Sequence, residues 1–225
     1  MIVVVTSVFA LYIGSTMVVR GDAAATAANI LASESLFRLG FVANLIAAAA
    51  YVGVVAMLYE LFKPVSSTLS FVAAFFGLVG CAVSAMSMAD YLAPLLLLGN
   101  ASYLTAFEAE QVQALARILR LEGLGGSISL VFFGFYCVLI GCLVLGSKFL
   151  PRILGMVMII AGLGWLTFNL AGFLAPSLGD TLSTYLLPVS GLGETLFTLW
   201  LLVMGVNEVK WREQASAASA QFGEK

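Results

Sequence analysis

The 225-residue chain contains no histidine. That absence removes His-ligated haem, most zinc hydrolase sites and the Ser–His and Cys–His nucleophile pairs. Charge is scarce as well. Only 10% of residues are Asp, Glu, Lys or Arg, against roughly 25% in a soluble domain. There is too little polar surface to cover a water-soluble globule. A net charge of −2, with no basic run and no aromatic platform, argues against nucleic acid as a partner. Cysteine is limited to Cys81, Cys137 and Cys142, an odd number, each inside an apolar run. They read as small packing residues, not as a disulfide frame or a zinc site. Phosphate-binding glycine loops are missing too: there is no GxGxxG, and GLGGS at 123–127 lacks the lysine of a P-loop. The expectation is a protein without a cofactor.

What the chain has in abundance is hydrocarbon. Hydrophobic residues make up 62%, and the mean hydropathy is +1.08. A spanning helix needs about 20 mostly apolar residues. Six runs qualify, near 1–19, 39–61, 69–98, 125–146, 153–175 and 185–206. Their length and purity favour helices over barrel strands. The fold class is therefore all-α: an integral membrane helical bundle with six transmembrane helices and two short outer amphipathic helices. Residues 1–206 form the membrane domain, and 207–225 form a polar tail with a disordered end. The opening MIVVVTSVFALYIGSTMVV has no A-x-A-like cleavage site and reads as a first membrane helix. The third run carries Pro94, which predicts a kink or tilt near its end.

Loop charges orient the bundle. Lys63, Lys148, Arg152, Lys210, Arg212 and Lys225 fall on one side, and Arg20, Arg38, Arg117 and Arg120 on the other, mixed with acids. The positive-inside rule then puts both termini in the cytoplasm. Trp211, between Lys210 and Arg212, fits an interfacial anchor. The outer links carry helical patterns. Asp22 is placed to cap a helix near 22–36, and Thr105 with Glu108 makes a T-x-x-E capping box for a second near 105–121. The third outer link, LAPSLGDTLSTYLLP, is punctuated by proline and glycine.

Six polar residues lie in or beside the apolar runs: Arg38, Asn44, Asp90, Glu122, Asn169 and Glu194. The topology puts all six in the outer half, with Glu194 several residues into the sixth helix. Asn44 is about 9 Å deeper than Arg38 on a helix rising 1.5 Å per residue. Small residues share their faces. Gly155, Gly162 and Asn169 recur every seven residues, as do Gly134 and Gly141. Ser190, Glu194 and Thr198 recur every four, and Gly40 and Asn44 share a face. Small residues let membrane helices approach closely, and Ser, Thr and Asn bond across the contact.

Two readings compete. In the structural one, Glu34 pairs with Arg38 four residues on, and the other groups join helices or are solvated near the interface. In the sharper one, Arg38, Asp90, Glu194 and the two Asn line a pocket open to the outside. Such a pocket suits a small amphiphile, a lipid headgroup or a proton-coupled substrate. Two carboxylates can also activate water, so an intramembrane enzyme stays a third possibility. An ionised Glu194 inside the bundle needs a cationic partner, with Arg38 and Arg120 the candidates; without one the carboxyl stays neutral. The expected partners are membrane lipids and a small amphiphilic ligand. Oligomeric state has no signature in the sequence.

Three blocks carry a resemblance: VVRGDAAATAANILASESLFRLGFVANL, LYELFKPV, and LVFFGFYCVLIGCLVLGSKFLPRILG. From about Val18 to about Val206 the chain resembles a bacterial multipass membrane family, domain of unknown function 4386. The resemblance implies a helical protein of the bacterial inner membrane and implies no activity. It also implies an Asp at the position of Asn44 and a His at that of Tyr136. The chain departs from the pattern at both, which weakens any role for an acid or a base at those two positions.

Overall fold

The computed structural model describes residues 2–17, 19, 23–89, 91, 92, 95, 111 and 124–223. Among the described residues there is no strand. The helices are α1 (Ile2–Met17), α2 (Ala23–Ala32), α3 (Glu34–Phe62), α4 (Ser67–Ser87), α5 (Leu124–Gly146), α6 (Arg152–Leu174), α7 (Pro176–Val203) and α8 (Glu208–Gly223). Among the described residues five helices are long and apolar enough to cross a membrane: α3, α4, α5 from Gly126, α6 and α7. They display large apolar side chains outward, Phe71, Ile160, Leu192 and Leu199 each at half exposure or more. Water would penalise such a surface, and a lipid environment does not.

Several boundaries differ from the sequence reading. Residues 22–36 do not form one helix: α2 ends at Ala32, Ser33 makes a turn, and α3 starts at Glu34. The punctuated link at 174–188 is almost entirely helix. Proline at the first helical position lacks only an N–H that would be orphaned anyway, so Pro176 starts α7 instead of delaying it. Pro188 sits inside α7, as interior prolines of membrane helices do when neighbours re-satisfy the freed carbonyl. Residues Glu208–Gly223, within the stretch read as a tail, are helical. Asp22, Pro94, the capping box of Thr105 and Glu108, and, apart from Gln111, the helix expected at 105–121 lie outside the described residues.

The chain divides into two compact units, Met1–Tyr51 with Cys81–Gly126, and Val52–Gly80 with Ser127–Lys225. In the first, Ile13 and Met17 of α1, Ile30 of α2 and Phe37 of α3 are buried together with Leu95, and Tyr91 and Leu92 pack against them. Polar side chains fold α2 back on the end of α1. Thr26 Oγ1 accepts from the Val19 amide at 3.0 Å, and Asn29 Nδ2 donates to the Met17 carbonyl at 3.4 Å.

In the second unit, glycines set the helix spacing. A Cβ on Gly141 would stand 2.7 Å from the Gly155 carbonyl oxygen, and one on Gly162 would stand 2.6 Å from that of Gly134. The two seven-residue glycine repeats read from the sequence therefore face each other, antiparallel, and let α5 and α6 touch backbone to backbone. Hydroxyls and an indole tie other helices to backbone carbonyls: Ser70 Oγ to Tyr59 at 2.8 Å, Ser129 Oγ to Gly80 at 3.1 Å, and Trp211 Nε1 to Leu61 at 2.9 Å. The Trp211 bond docks α8 against α3.

Candidate functional site

Asn169 stands one heptad beyond Gly162 on α6, continuing the glycine seam, and is 5% exposed. Its Nδ2 donates to the Trp165 carbonyl at 2.7 Å, the i−4 position of its own helix. The same Trp165 turns its indole toward α7, where Nε1 donates to Glu194 Oε1 in a short hydrogen bond. From α5, Cys137 Sγ lies 3.5 Å from the same oxygen and donates weakly to it. One carboxyl oxygen is thus held from two neighbouring helices, while Oε2 takes no hydrogen bond among the described residues.

Helical phase explains why these residues meet. Gly164 and Gly193 bring α6 and α7 together. The Ser190 side chain lies directly against Gly164, and a Cβ on Gly193 would meet that of Ala161 at 2.7 Å. With the helices that close, Trp165 reaches across to Glu194. Ser190 is one turn before Glu194 on the same face. Its hydroxyl is fully buried and has no hydrogen-bond partner among the described residues. A buried polar group without a partner is costly, of order 1–3 kcal/mol, and its persistence asks for a reason.

Depth changes with the helix boundaries. Glu194 is not several residues into its helix but 18 residues beyond Pro176, about 27 Å along the axis. It lies past the middle of α7 and not in the half that begins at Pro176. No ion pair involves it among the described residues.

The other sequence-selected residues have different surroundings. Arg38 pairs with Glu34 at 2.7 Å, and both side chains are about half exposed; this is the local pair expected from the spacing. Asn44 donates to its own helix at the Gly40 carbonyl, 2.9 Å away. Arg38 and Asn44 belong to the first compact unit, Asn169 and Glu194 to the second. Asp90, Glu122 and Arg120 lie outside the described residues. The structure thus links two of the six, Asn169 and Glu194, through Trp165.

Two partners escaped the sequence reading. Cys137 was read as packing alone, and its burial at 1% agrees, but its thiol also faces a carboxyl. Trp165 carries no motif. A sequence signal existed in its position four residues before Asn169, on the face that already held the seam. Tyr136, adjacent to Cys137, points elsewhere, its ring packing over Gly77 of α4. Among the described residues no three His, Cys, Asp or Glu side chains are grouped to hold a metal ion.

No curated protein and no solved structure matches the chain. A family model described as a domain of unknown function (DUF4386) matches residues 1–205. That match covers nearly the whole membrane region with its glycine seams and its buried carboxyl, and the chain belongs to this family.

Proposed function

We propose that this protein binds, and in its working cycle moves, a small or lipid-like molecule in the membrane, with Glu194 as the group that meets it. The observation that carries the reading is the carboxyl itself. It is placed deep in a membrane-spanning helix, anchored at one oxygen by Trp165 and Cys137, with its second oxygen uncommitted. Ionisable groups inside membrane bundles are expensive, and they mark substrate and proton pathways more often than they serve packing. The buried, unpartnered Ser190 hydroxyl one turn away supplies a second polar contact for the same ligand.

The architecture that goes with this reading has six spans, α1 being the sixth. Its 16 residues cover about 24 Å. Outer helices at α2 and at 105–121 lie on the surface, and both termini face the cytoplasm of a bacterial inner membrane. An impermeant maleimide added from outside then labels Ser102→Cys and spares Lys148→Cys and Lys210→Cys. The reverse pattern overturns the orientation.

Glu194→Gln tests the function. Glutamine keeps an oxygen to accept from Trp165 and loses the ionisable group. The expected outcome is a folded protein of near wild-type thermal stability that no longer retains the small molecules wild type carries in native mass spectra. A retained-ligand spectrum identical to wild type contradicts the reading. A structural role is the second reading, favoured by the fact that Trp165 and Cys137 share one carboxyl oxygen and so tie α5, α6 and α7 together. It predicts that Glu194→Leu melts early while Glu194→Gln changes nothing.

A further inference from the structure

A second feature lies at the C-terminal end of α7, where Trp200 stands six residues, about 9 Å along the axis, beyond Glu194. The chain leaves α7 through Gly205, which has φ +65, a left-handed conformation that glycine adopts at no steric cost. Met204 and Gly205 amides both return to the Trp200 carbonyl, at 2.8 and 3.1 Å, and close the helix end. The corner is then pinned to the link between α5 and α6. The Asn207 amide donates to the Phe149 carbonyl at 3.2 Å, and the Lys148 amide donates to Gln214 Oε1 at 3.1 Å. Between the two segments is an open recess of about 460 Å³.

The chemistry of its wall is one-sided. Lys148 and Lys210 both line it, and no carboxylate does. The Lys backbones are committed to the scaffold: the Lys148 amide to Gln214, and the Lys210 amide to Asn207 Oδ1 at 3.1 Å. Their exposed ammonium groups make no ion pair among the described residues, whereas Lys63 pairs with Glu60 and Arg212 with Glu208. Glu208, next to the corner, is thus already engaged. Apart from Asn207, whose Oδ1 is taken by the Lys210 amide, the rest of the wall is apolar and aromatic, with buried Phe149 on one side and Trp200 and the exposed Met204 on the other. Beyond Met204 the surface stays apolar, with Val203 77% and Leu199 50% exposed along the membrane helix. Two unpaired cations above an apolar strip fit one class of molecule. An anionic headgroup is held by the lysines while its acyl chain follows α7 into the hydrocarbon.

We propose that the recess between the α5–α6 link and the α7–α8 corner binds the phosphate of an anionic phospholipid, with Lys148 and Lys210 as its cationic contacts. The recess shares no residue with the Glu194 arrangement of Trp165, Cys137 and Ser190, so either proposal can fail alone.

The full chain in detergent is titrated with phosphatidylglycerol, phosphatidylcholine or inorganic phosphate. Thermal stability and bound lipid by native mass spectrometry are read in parallel. The expected result is at least tenfold stronger retention of phosphatidylglycerol than of phosphatidylcholine, with a rise in melting temperature. In Lys148→Gln/Lys210→Gln the preference falls to within about twofold, because both cationic contacts to the anionic headgroup are gone. Both substitutions spare the backbone bonds of the corner, so the variant keeps its fold. Lys63→Gln, on the α3–α4 link, leaves the preference intact. Equal retention of the two lipids by wild type, or an undiminished preference in the double variant, overturns the proposal. Stabilisation by inorganic phosphate as strong as by phosphatidylglycerol assigns the site to a free anion and overturns the lipid.

Discussion

Arg38 with Glu34 on α3, and Glu194 with Trp165 and Cys137 across α5, α6 and α7, are two answers to one problem, a charged group on a membrane helix. In the first, both partners belong to one helix, four residues apart, and both are about half exposed. Asn44 follows the same rule, bonding the carbonyl of Gly40 on its own helix. In the second, the donors come from other helices and the contact is partly buried. A local pair holds nothing together beyond its own turn, whereas a shared carboxyl fixes the rotation of three helices about their axes. Exposed i,i+4 pairs are worth a few tenths of a kcal/mol. Hydrogen bonds between membrane helices average about 0.6 and reach about 1.7 kcal/mol. The comparison predicts that the second unit is sensitive to changes between helices and that the α3 pair is tolerant.

The largest effect belongs to the glycine seam on which the Glu194 arrangement rests. Gly162→Leu puts a side chain where the Gly134 carbonyl stands, and neither helix backbone can yield without losing the seam. A cost of about 3 kcal/mol, at the upper end of overpacking penalties, is expected as a clear fall in melting temperature. A change smaller than that of Trp165→Phe would break the comparison. Next, Trp165→Phe removes the indole donor and leaves the carboxyl with the weak thiol alone. The expected loss is about 1–2 kcal/mol by thermal melting in lipid nanodiscs. Gly205→Ala forces a side chain into a left-handed corner and costs about 1 kcal/mol, read the same way. Smallest of all, Arg38→Ala shifts stability by less than about 0.5 kcal/mol, and added salt erases the shift.

Much of this was legible in the sequence because membrane helices obey simple rules. The apolar runs marked α3 to α7, and the spacing of Glu34 and Arg38 foretold their pair. Gly134 with Gly141, and Gly155 with Gly162, were visible as two seams. That they face each other was not, because a seam gives the face of one helix and not the identity of its partner. The start of α7 was hidden by Pro176, Gly179 and Pro188, whose usual meaning is interruption. At a first helical position proline costs nothing, and in a bundle an interior proline is tolerated. That error moved Glu194 toward the wrong end of its helix. Trp165 and Cys137 stayed unread for a related reason. Indoles and thiols in apolar runs most often pack, and only three-dimensional register shows which of them meets a carboxyl.

A pair of double-mutant cycles on thermal unfolding in nanodiscs tests the central claim most directly. One cycle combines Trp165→Phe with Glu194→Leu, and the other combines Arg38→Ala with Glu34→Ala. The account predicts a coupling of about 1 kcal/mol or more in the first cycle and less than about 0.5 kcal/mol in the second. Equal couplings, or a larger one at Arg38 and Glu34, would contradict it.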